Sequence, residues 1–416
     1  MKASPGRVLI LVENLSVPFD QRVWREATAL REAGYGVSVI CPKGRSFDRG
    51  FHERMRGVSI YRYPAYEAAS GLLWYGLEYG LALVSTAVLS AVVLLKEGFD
   101  VVQICNPPDL LFLVALPYRL MGKPVIFDHH DLSPETYLSK KGTASGGRVA
   151  SLLQFLERAT FKYVDVVMAT NESYKAVAVS RGGMAADRVF VVRNGPDLAR
   201  LAPVAPDPEL RRGKQFLVFY AGTMGAQDGV DFLLRSVRHL VRERNRADFH
   251  TLIVGGGTEL ERLKAYAGEL GVADAVTFTG RVPDQALVQA LFSADVCVCP
   301  DPSTPLNDVS TMNKTLEYMA AGKPTVAYDL RETRVSAGNA ALYAVPNDER
   351  DFADKMERLF DSPALREELG RTGRQRIADG LSWEHSKPSL YAAYERAFSL
   401  RTRRIRAGDG RVNGRK

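Results

Sequence analysis

The chain has 416 residues, of which 46% are hydrophobic and 25% charged; that balance suits an ordinary globular protein with length for two full cores. Cys41, Cys105, Cys297 and Cys299 stand in neither CxxC nor Cys/His metal spacing, which excludes a disulfide framework or a zinc module and suits reduced thiols in a cytosol. Net charge is +7, but Arg401 to Lys416 hold seven basic residues against one Asp, leaving about +1 for the body; this tail is expected to be a disordered, solubilising arm with weak affinity for a membrane surface, and no nucleic-acid motif accompanies it.

In chain order, MKASPGRVLILVEN enters a strand at once, without the apolar run and cleavage site of a signal peptide. Val8 to Val12 is all apolar, as in a strand buried on both faces of a parallel sheet. The loop ENLSVPFDQR leads to a helix through Val23, Ala27 and Leu30, and Val37 to Cys41 is a second strand. This strand–helix–strand opening predicts a doubly wound unit with its site at the carboxyl ends of the strands. Arg22, Trp24 and Arg25 would open the helix beside that crevice, touching an acceptor or simply packing there. Gly71 to Leu95 is the most apolar stretch and nearly long enough to span a bilayer. Glu78 interrupts it and the strand FDVVQI follows, so a buried crossover helix is expected; Trp74, Tyr75 and Tyr79 leave open a surface-lying role beside a lipid acceptor.

Val125 to Phe127 is a strand, which puts Asp128, His129, His130 and Asp131 at its carboxyl end. Neighbouring residues of an extended segment point to opposite sides, and no partner cluster is visible, so DHHD is a poor metal site. An imidazole beside a carboxylate is better suited to positioning a reacting hydroxyl, or to a hydrogen bond in the wall of the site. After further helix–strand pairs, Pro196, Pro203, Pro206 and Pro208 mark a linker between domains. The second half repeats the rhythm with AGTMGAQDG after the strand Phe216 to Tyr220, and GGG after Thr251 to Val254. These glycines allow close backbone approach to a phosphate but also make plain turns, and no GxGxxG follows the first strand.

The stretch NDVSTMNKTLEYMAAGKPTVAYDL, Asn307 to Leu330, reads as loop, helix, Gly-Lys-Pro stop and buried strand. Ser310 or Thr311 can cap the helix, Leu316, Met319 and Ala320 should face the core, and Lys314 and Glu317 share the other face. A helix start offers unpaired N–H groups and partial positive charge to a phosphate, Lys314 adds a full charge, and Glu317 is an acceptor that can hold two ribose hydroxyls. An ordinary solvated Lys/Glu pair is the other reading.

PFDQRVWREA, FDHHDLSPE, AGTMGAQDG, TFTGRVP and NKTLEYMAAGKPTVAYDL, in this order, resemble the retaining nucleotide-sugar glycosyltransferases of glycosyltransferase family 4, over nearly everything from Val8 to Phe398. The resemblance implies an α/β GT-B fold: two doubly wound Rossmann-like domains facing across a cleft, with a C-terminal helix crossing back to the first. The expected division is 1–195 for the acceptor, 196–385 for the donor, 386–400 for the crossover helix and 401–416 for the tail. It further implies catalytic roles for His130 and the adjacent Asp131. Donor-binding roles fall to Gly222, Thr223, Gly280, Arg281, Val282, Asn313, Lys314, Thr315 and Glu317, sugar contacts to Asp308 and Val309, and acceptor-side contacts to Arg22 and Asn14.

The pattern departs from the family in three places. Val309 stands where many members have an acidic residue eight before Glu317; Thr223 and Asp228 replace an Arg and a Lys; and SVPFDQ replaces a Gly-Gly loop. Lys314, Arg281 or Arg331 must then balance the diphosphate. The expected activity is metal-independent, cofactor-free transfer from a nucleoside-diphosphate sugar to a lipid-linked or soluble glycan acceptor, with retention. Its place would be the cytoplasm or the cytoplasmic membrane face, in envelope or exopolysaccharide synthesis. An epimerase of the same fold, or a nucleotide-sugar-binding module without chemistry, are the alternatives; a phosphorylase would need a pyridoxal-holding lysine site, of which there is no sign.

Overall fold

The computed structural model describes residues 5–44, 48, 50–65, 72–141 and 147–413, with backbone alone for 72–75, 140–141 and 403–413. Two compact units result: one of residues 1–136, 145–192 and 387–416, the other of 137–144 and 193–386.

The first unit is built from β1 (Arg7–Leu11), α1 (Gln21–Glu32), β2 (Gly36–Pro42), β3 (His52–Met55), β4 (Val58–Tyr63), α2 (Leu72–Lys96), β5 (Val101–Cys105), α3 (Phe112–Leu120), β6 (Val125–His129), the start of α4 (Ser133–Lys141, counted with the second unit from Tyr137), α5 (Arg148–Tyr163), β7 (Val166–Ala169), α6 (Glu172–Ser180) and β8 (Val189–Val191). Its sheet runs β3-β4-β2-β1-β5-β6-β7-β8, parallel except for the antiparallel β3–β4 edge. Strand order reverses between β1 and β5, so the loops after these strands flank the crevice where such sheets hold ligands. Val8, Leu9, Ile10 and Leu11 are buried, as a strand covered on both faces requires. Asp20 caps α1, its carboxylate accepting from the Arg22 and Val23 N–H groups.

The second unit comprises β9 (Phe216–Ala221), α7 (Val230–Arg238), β10 (Phe249–Val254), α8 (Leu260–Glu269), β11 (Val276–Gly280), α9 (Asp284–Ser293), β12 (Val296–Cys299), α10 (Asn313–Ala320), β13 (Thr325–Tyr328), α11 (Arg331–Ala337), β14 (Ala341–Ala344), α12 (Glu349–Asp361) and α13 (Pro363–Arg376). Its wholly parallel sheet, β11-β10-β9-β12-β13-β14, has the Rossmann order, with the reversal between β9 and β12. α14 (Trp383–Asn413) begins in this unit and from Lys387 belongs to the first. There Lys387 pairs with Glu32 at 3.1 Å, Phe398 stacks on Tyr35 and Arg401 meets Asp100 at 2.8 Å.

Four expectations need correcting. Met312, not Ser310 or Thr311, occupies the cap of α10 and makes no side-chain cap bond; Ser310 Oγ donates back to Leu306 O instead. The basic tail continues α14 as helix through Asn413, because alternating arginines do not forbid one. The hairpin β3–β4 was not foreseen, although VSIYRY is rich in strand formers and follows Arg56 and Gly57, both at positive φ as a tight hairpin turn needs. Finally, α2 is not a buried crossover helix: only 22% of its most apolar window is buried. It rests on the sheet through Ala82, Thr86, Ser90 and Val93 and turns larger apolar residues outward. The side chains of Trp74 and Tyr75 lie outside the described residues.

The glycine loops of the second unit meet backbone to backbone. Gly255 has φ +136°, and a Cβ there would sit 1.8 Å from the Gly222 carbonyl oxygen; one on Gly257 would strike the Met224 backbone. Gly255→Ala is therefore expected to destabilise this unit by on the order of 2–4 kcal/mol, read as a lower midpoint in urea, through strain and overpacking together.

Candidate functional site

In the first unit the site grows from the end of β6. Asp128 and His130 are two apart in extended chain and share a side; His129 faces the other way, buried among Phe127, Phe161 and Tyr174 with Nε2 3.4 Å from Glu157. The buried Asp128 carboxylate accepts from Arg22 Nε at 2.9 Å and Nη2 at 2.6 Å, and lies 2.9 Å from His130 Nδ1. Arg22 also donates to Val192 O and lies 3.2 Å from Glu26. Arg22, expected on the acceptor side, is turned inward by helix geometry and holds Asp128. Glu26 accepts from Gln103 Nε2 at 2.7 Å, and Gln103 accepts in turn from the Tyr394 hydroxyl of α14.

Asn106, in the NPPD turn after β5, takes the N–H groups of His130 and Asp131 on its side-chain oxygen at 2.9 and 3.1 Å and donates to Asp131 O. Asp131, expected to be catalytic, accepts from the Thr136 hydroxyl at 2.6 Å and so secures the start of α4. Asn14 is exposed in the loop after β1.

The electrostatics follow from this packing. Burial disfavours a charged Asp128, yet Arg22 and His130 hold its carboxyl well below the usual range. Burial likewise opposes a charged imidazole, and Asp128 outweighs it, so the His130 pKa is raised. Burial, with Asp128 nearby, pushes Glu26 up to about 7. With Nδ1 committed to Asp128, Nε2 is the nitrogen left for chemistry.

In the second unit a rim runs across the ends of β9, β10, β11 and β12. Gly222 N–H donates to Val254 O, Gly255 N–H to Gly280 O and Met224 N–H to Gly256 O. The Lys314 side chain passes Gly222, and Arg281, exposed, passes Gly256. Gly280 takes φ +69°, which turns the chain into Arg281 and the half-buried Val282. Lys314 Nζ sits 2.8 Å from both carboxylate oxygens of Asp301. Burial alone would lower its pKa, but Asp301 prevails and raises it well above the ordinary lysine value.

Lys314 is accordingly one half of a neutral buried pair rather than a lone cation, and Glu317 is not its partner. Glu317 Oε1 accepts from Arg200 Nη1 at 2.7 Å, and Arg200 also clamps Asp284. Thr315 is buried, while Asn313 and Thr223 are exposed. Asp228, standing where a cation was sought, accepts from Gly225 N–H and closes the turn. Asp308 accepts from Arg331 N–H at 3.0 Å at the start of α11 and pairs with its side chain at 3.5 Å, beside the apolar Val309. Arg200, Asp301 and Asn106 were missed. Asn106 directly follows β5 and Asp301 comes two residues after β12, both strands beside the topological switch, which is the signal that could have found them.

A family model described as a glycosyl transferase 4-like domain matches residues 20–195, and one described as glycosyl transferases group 1 matches residues 215–362. The chain belongs to glycosyltransferase family 4. A D-inositol 3-phosphate glycosyltransferase of Nocardia farcinica is 29% identical over 270 residues, 62% of this chain and 58% of that one. The chain thus matches a little over half the length of such curated relatives. Sucrose-phosphate synthase from Thermosynechococcus elongatus superposes with a TM-score of 0.74 at 19% identity, over 94% of this chain and 99% of that one. Anabaena HepE in complex with UDP-glucose gives 0.70 at 14%, over 94% and 99%. These likenesses show that this family member has the GT-B fold.

Among the described residues no group of three or more His, Cys, Asp and Glu side chains is gathered as for a metal ion. Asp128→Asn is expected to lower the His130 pKa, read by NMR titration, since the carboxylate that outweighs burial and the nearby Arg22 charge is then gone. The sign for stability is worked out separately for each group. The raised His130 contributes stability that is full below about pH 6.5 and lost as pH rises through its folded value. The depressed Asp128 contributes above about pH 3.9 and loses its share as pH falls through its own. Denaturation at several pH values in wild type should therefore show both flanks, and the variant neither.

Proposed function

We propose that this chain transfers a sugar from a nucleoside-diphosphate sugar to a hydroxyl on a lipid-linked or soluble glycan acceptor, with retention and without a metal ion. The observation that carries the reading is the rim of the second unit, where Gly222 with Lys314 and Gly256 with Arg281 lie at the strand ends of a Rossmann sheet, and Glu317 stands one turn along α10 from Lys314. HepE, of the same fold, is described with UDP-glucose, which supports a nucleotide sugar as donor. In this reading Glu317 holds the ribose hydroxyls, with Arg200 orienting its second oxygen. The first turn of α10, beside the close-packed glycine loops, receives the diphosphate. Arg281, exposed and passing Gly256 at the end of β10, is the cation assigned to the departing phosphate, beside the Lys314–Asp301 pair.

His130, held by Asp128 through Nδ1, acts at the transferred sugar, and the leaving phosphate oxygen takes the acceptor proton in a front-face displacement. Envelope or exopolysaccharide synthesis at the cytoplasmic side of a membrane is the setting proposed. Binding and chemistry are separable by measurement. In a thermal-shift panel of nucleoside diphosphates and their sugars, a matching ligand at 100 times its Kd should add about 2.7 kcal/mol of stability. Glu317→Ala should abolish that shift, whereas His130→Ala should keep the shift and stop turnover. Activity unchanged by EDTA and a product with the donor's anomeric configuration by NMR are the further outcomes expected. Nucleotide binding by Glu317→Ala equal to wild type would overturn the site, and binding without turnover in wild type against a broad acceptor set would leave a binding module.

A further inference from the structure

We infer that the outward face of α2, continued across α3 and α5, seats the protein on the surface of an anionic phospholipid bilayer. Along α2, Leu77, Leu81, Val84, Val88 and Leu95 are 51, 39, 63, 58 and 87% exposed. Spacings of four and three keep them on one side of the helix, with no charged residue among the exposed positions between Leu77 and Leu95. Leu113, Leu120 and Met121 on and after α3, and Leu152 and Phe155 on α5, are also exposed. α3 packs against both α2 and α5, so these exposed apolar residues lie on three neighbouring helices. A surface of this kind marks an interaction site.

Charge decides the occupant. The exposed charged residues of α5 are Arg148, Arg158 and Lys162, and the α2 stripe ends on exposed Lys96. At that end two hollows of about 470 and 440 Å³ share Arg7 and are walled by Arg31, Arg54 and Lys96 in one and by Lys123 in the other. Their two carboxylates are engaged: Glu97 accepts from Ser38 and Tyr61, and Asp100 pairs with Arg401. Arg401 opens the basic stretch of α14, which continues with Arg403, Arg404 and Arg406. Two copies facing each other here would oppose like charges, whereas an anionic membrane complements both the apolar stripe and its basic flanks.

α2 also has the length and hydropathy of a membrane span, but Ala82, Thr86, Ser90 and Val93 hold it to the sheet, so it lies on the bilayer rather than across it. The inference stands independently of the proposed donor chemistry.

The test is co-sedimentation of the full chain with vesicles of phosphatidylcholine alone or with phosphatidylglycerol added. Binding to the anionic vesicles should be stronger by about tenfold or more. Val84→Glu with Val88→Glu, or Leu81→Ser with Leu95→Ser, should weaken binding by a similar factor without changing the melting temperature. Arg54→Glu with Lys96→Glu should remove the preference for phosphatidylglycerol. Millimolar glycerol phosphate should not release the protein, and carbonate at high pH should. Equal binding to both vesicle types, unaltered binding by the α2 variants, release by glycerol phosphate or retention through the carbonate wash would each overturn the inference. So would a dimer in sedimentation velocity that the α2 variants dissociate while vesicle binding persists.

Discussion

A carboxylate with an arginine and a histidine against it sits at the centre of the first unit. Taking Asp128 and Arg22 out of water costs several kcal/mol apiece, a cost offset only when geometry is good and the remaining polar atoms are satisfied. Here the Arg22 guanidinium meets Asp128 with two nitrogens, and a third donates to Val192 O. One residue thereby ties α1 to the end of β6 and to the chain leaving β8. The same carboxylate fixes the orientation of the His130 ring, so the features that stabilise this corner also set its chemistry. The relay continues through Glu26 and Gln103 to Tyr394, which makes a helix from the far end of the sequence part of the support.

The second unit balances its charges differently. Lys314 and Glu317 lie one turn apart on α10, yet each is engaged elsewhere, by Asp301 and by Arg200. The Lys314–Asp301 pair is buried and its charges offset one another, so in the proposed reading its net contribution to attracting a diphosphate is small and backbone dipoles carry more of it. Glu317 and Arg200 are partly open to solvent. A ribose could share that carboxylate without displacing the arginine, because a carboxylate has two oxygens and about four acceptor positions.

Much of this was legible in the sequence, and the reasons are specific. All-apolar runs such as Val8–Val12 have few interpretations, and the alternation of such runs with 3.6-period segments yields the doubly wound units. The strand-end positions of Asp128, His130 and Gly222 followed from that alternation alone. Side-chain pairing did not, because it depends on which distant elements the topology brings together: Arg22 meets Asp128 across 106 residues and Arg200 meets Glu317 across 117. Caps were misjudged where a hydroxyl had a nearer carbonyl, as Ser310 has in Leu306. Asp131 and Asp308, expected to be catalytic and to contact the sugar, hold the starts of α4 and α11, a use of short acidic side chains that spacing does not separate from ligand binding.

The misreading of α2 is the most instructive, because periodicity gave no orientation. A helix laid on a sheet in water normally turns its more apolar face inward. In α2 the order is reversed, with Ala, Thr, Ser and Val toward the sheet and Leu and Val outward. Fully burying one such outward side chain is worth about 1.5–3 kcal/mol, so five left largely in water leave on the order of 5 kcal/mol of transfer free energy unrealised in the isolated chain. Packing within the unit cannot recover it, since the inward face is already occupied by the small residues that let the helix approach the sheet. A water–lipid boundary can, and it accounts for the basic residues at the margins of the stripe, which hydrophobic burial against a second protein surface would not require.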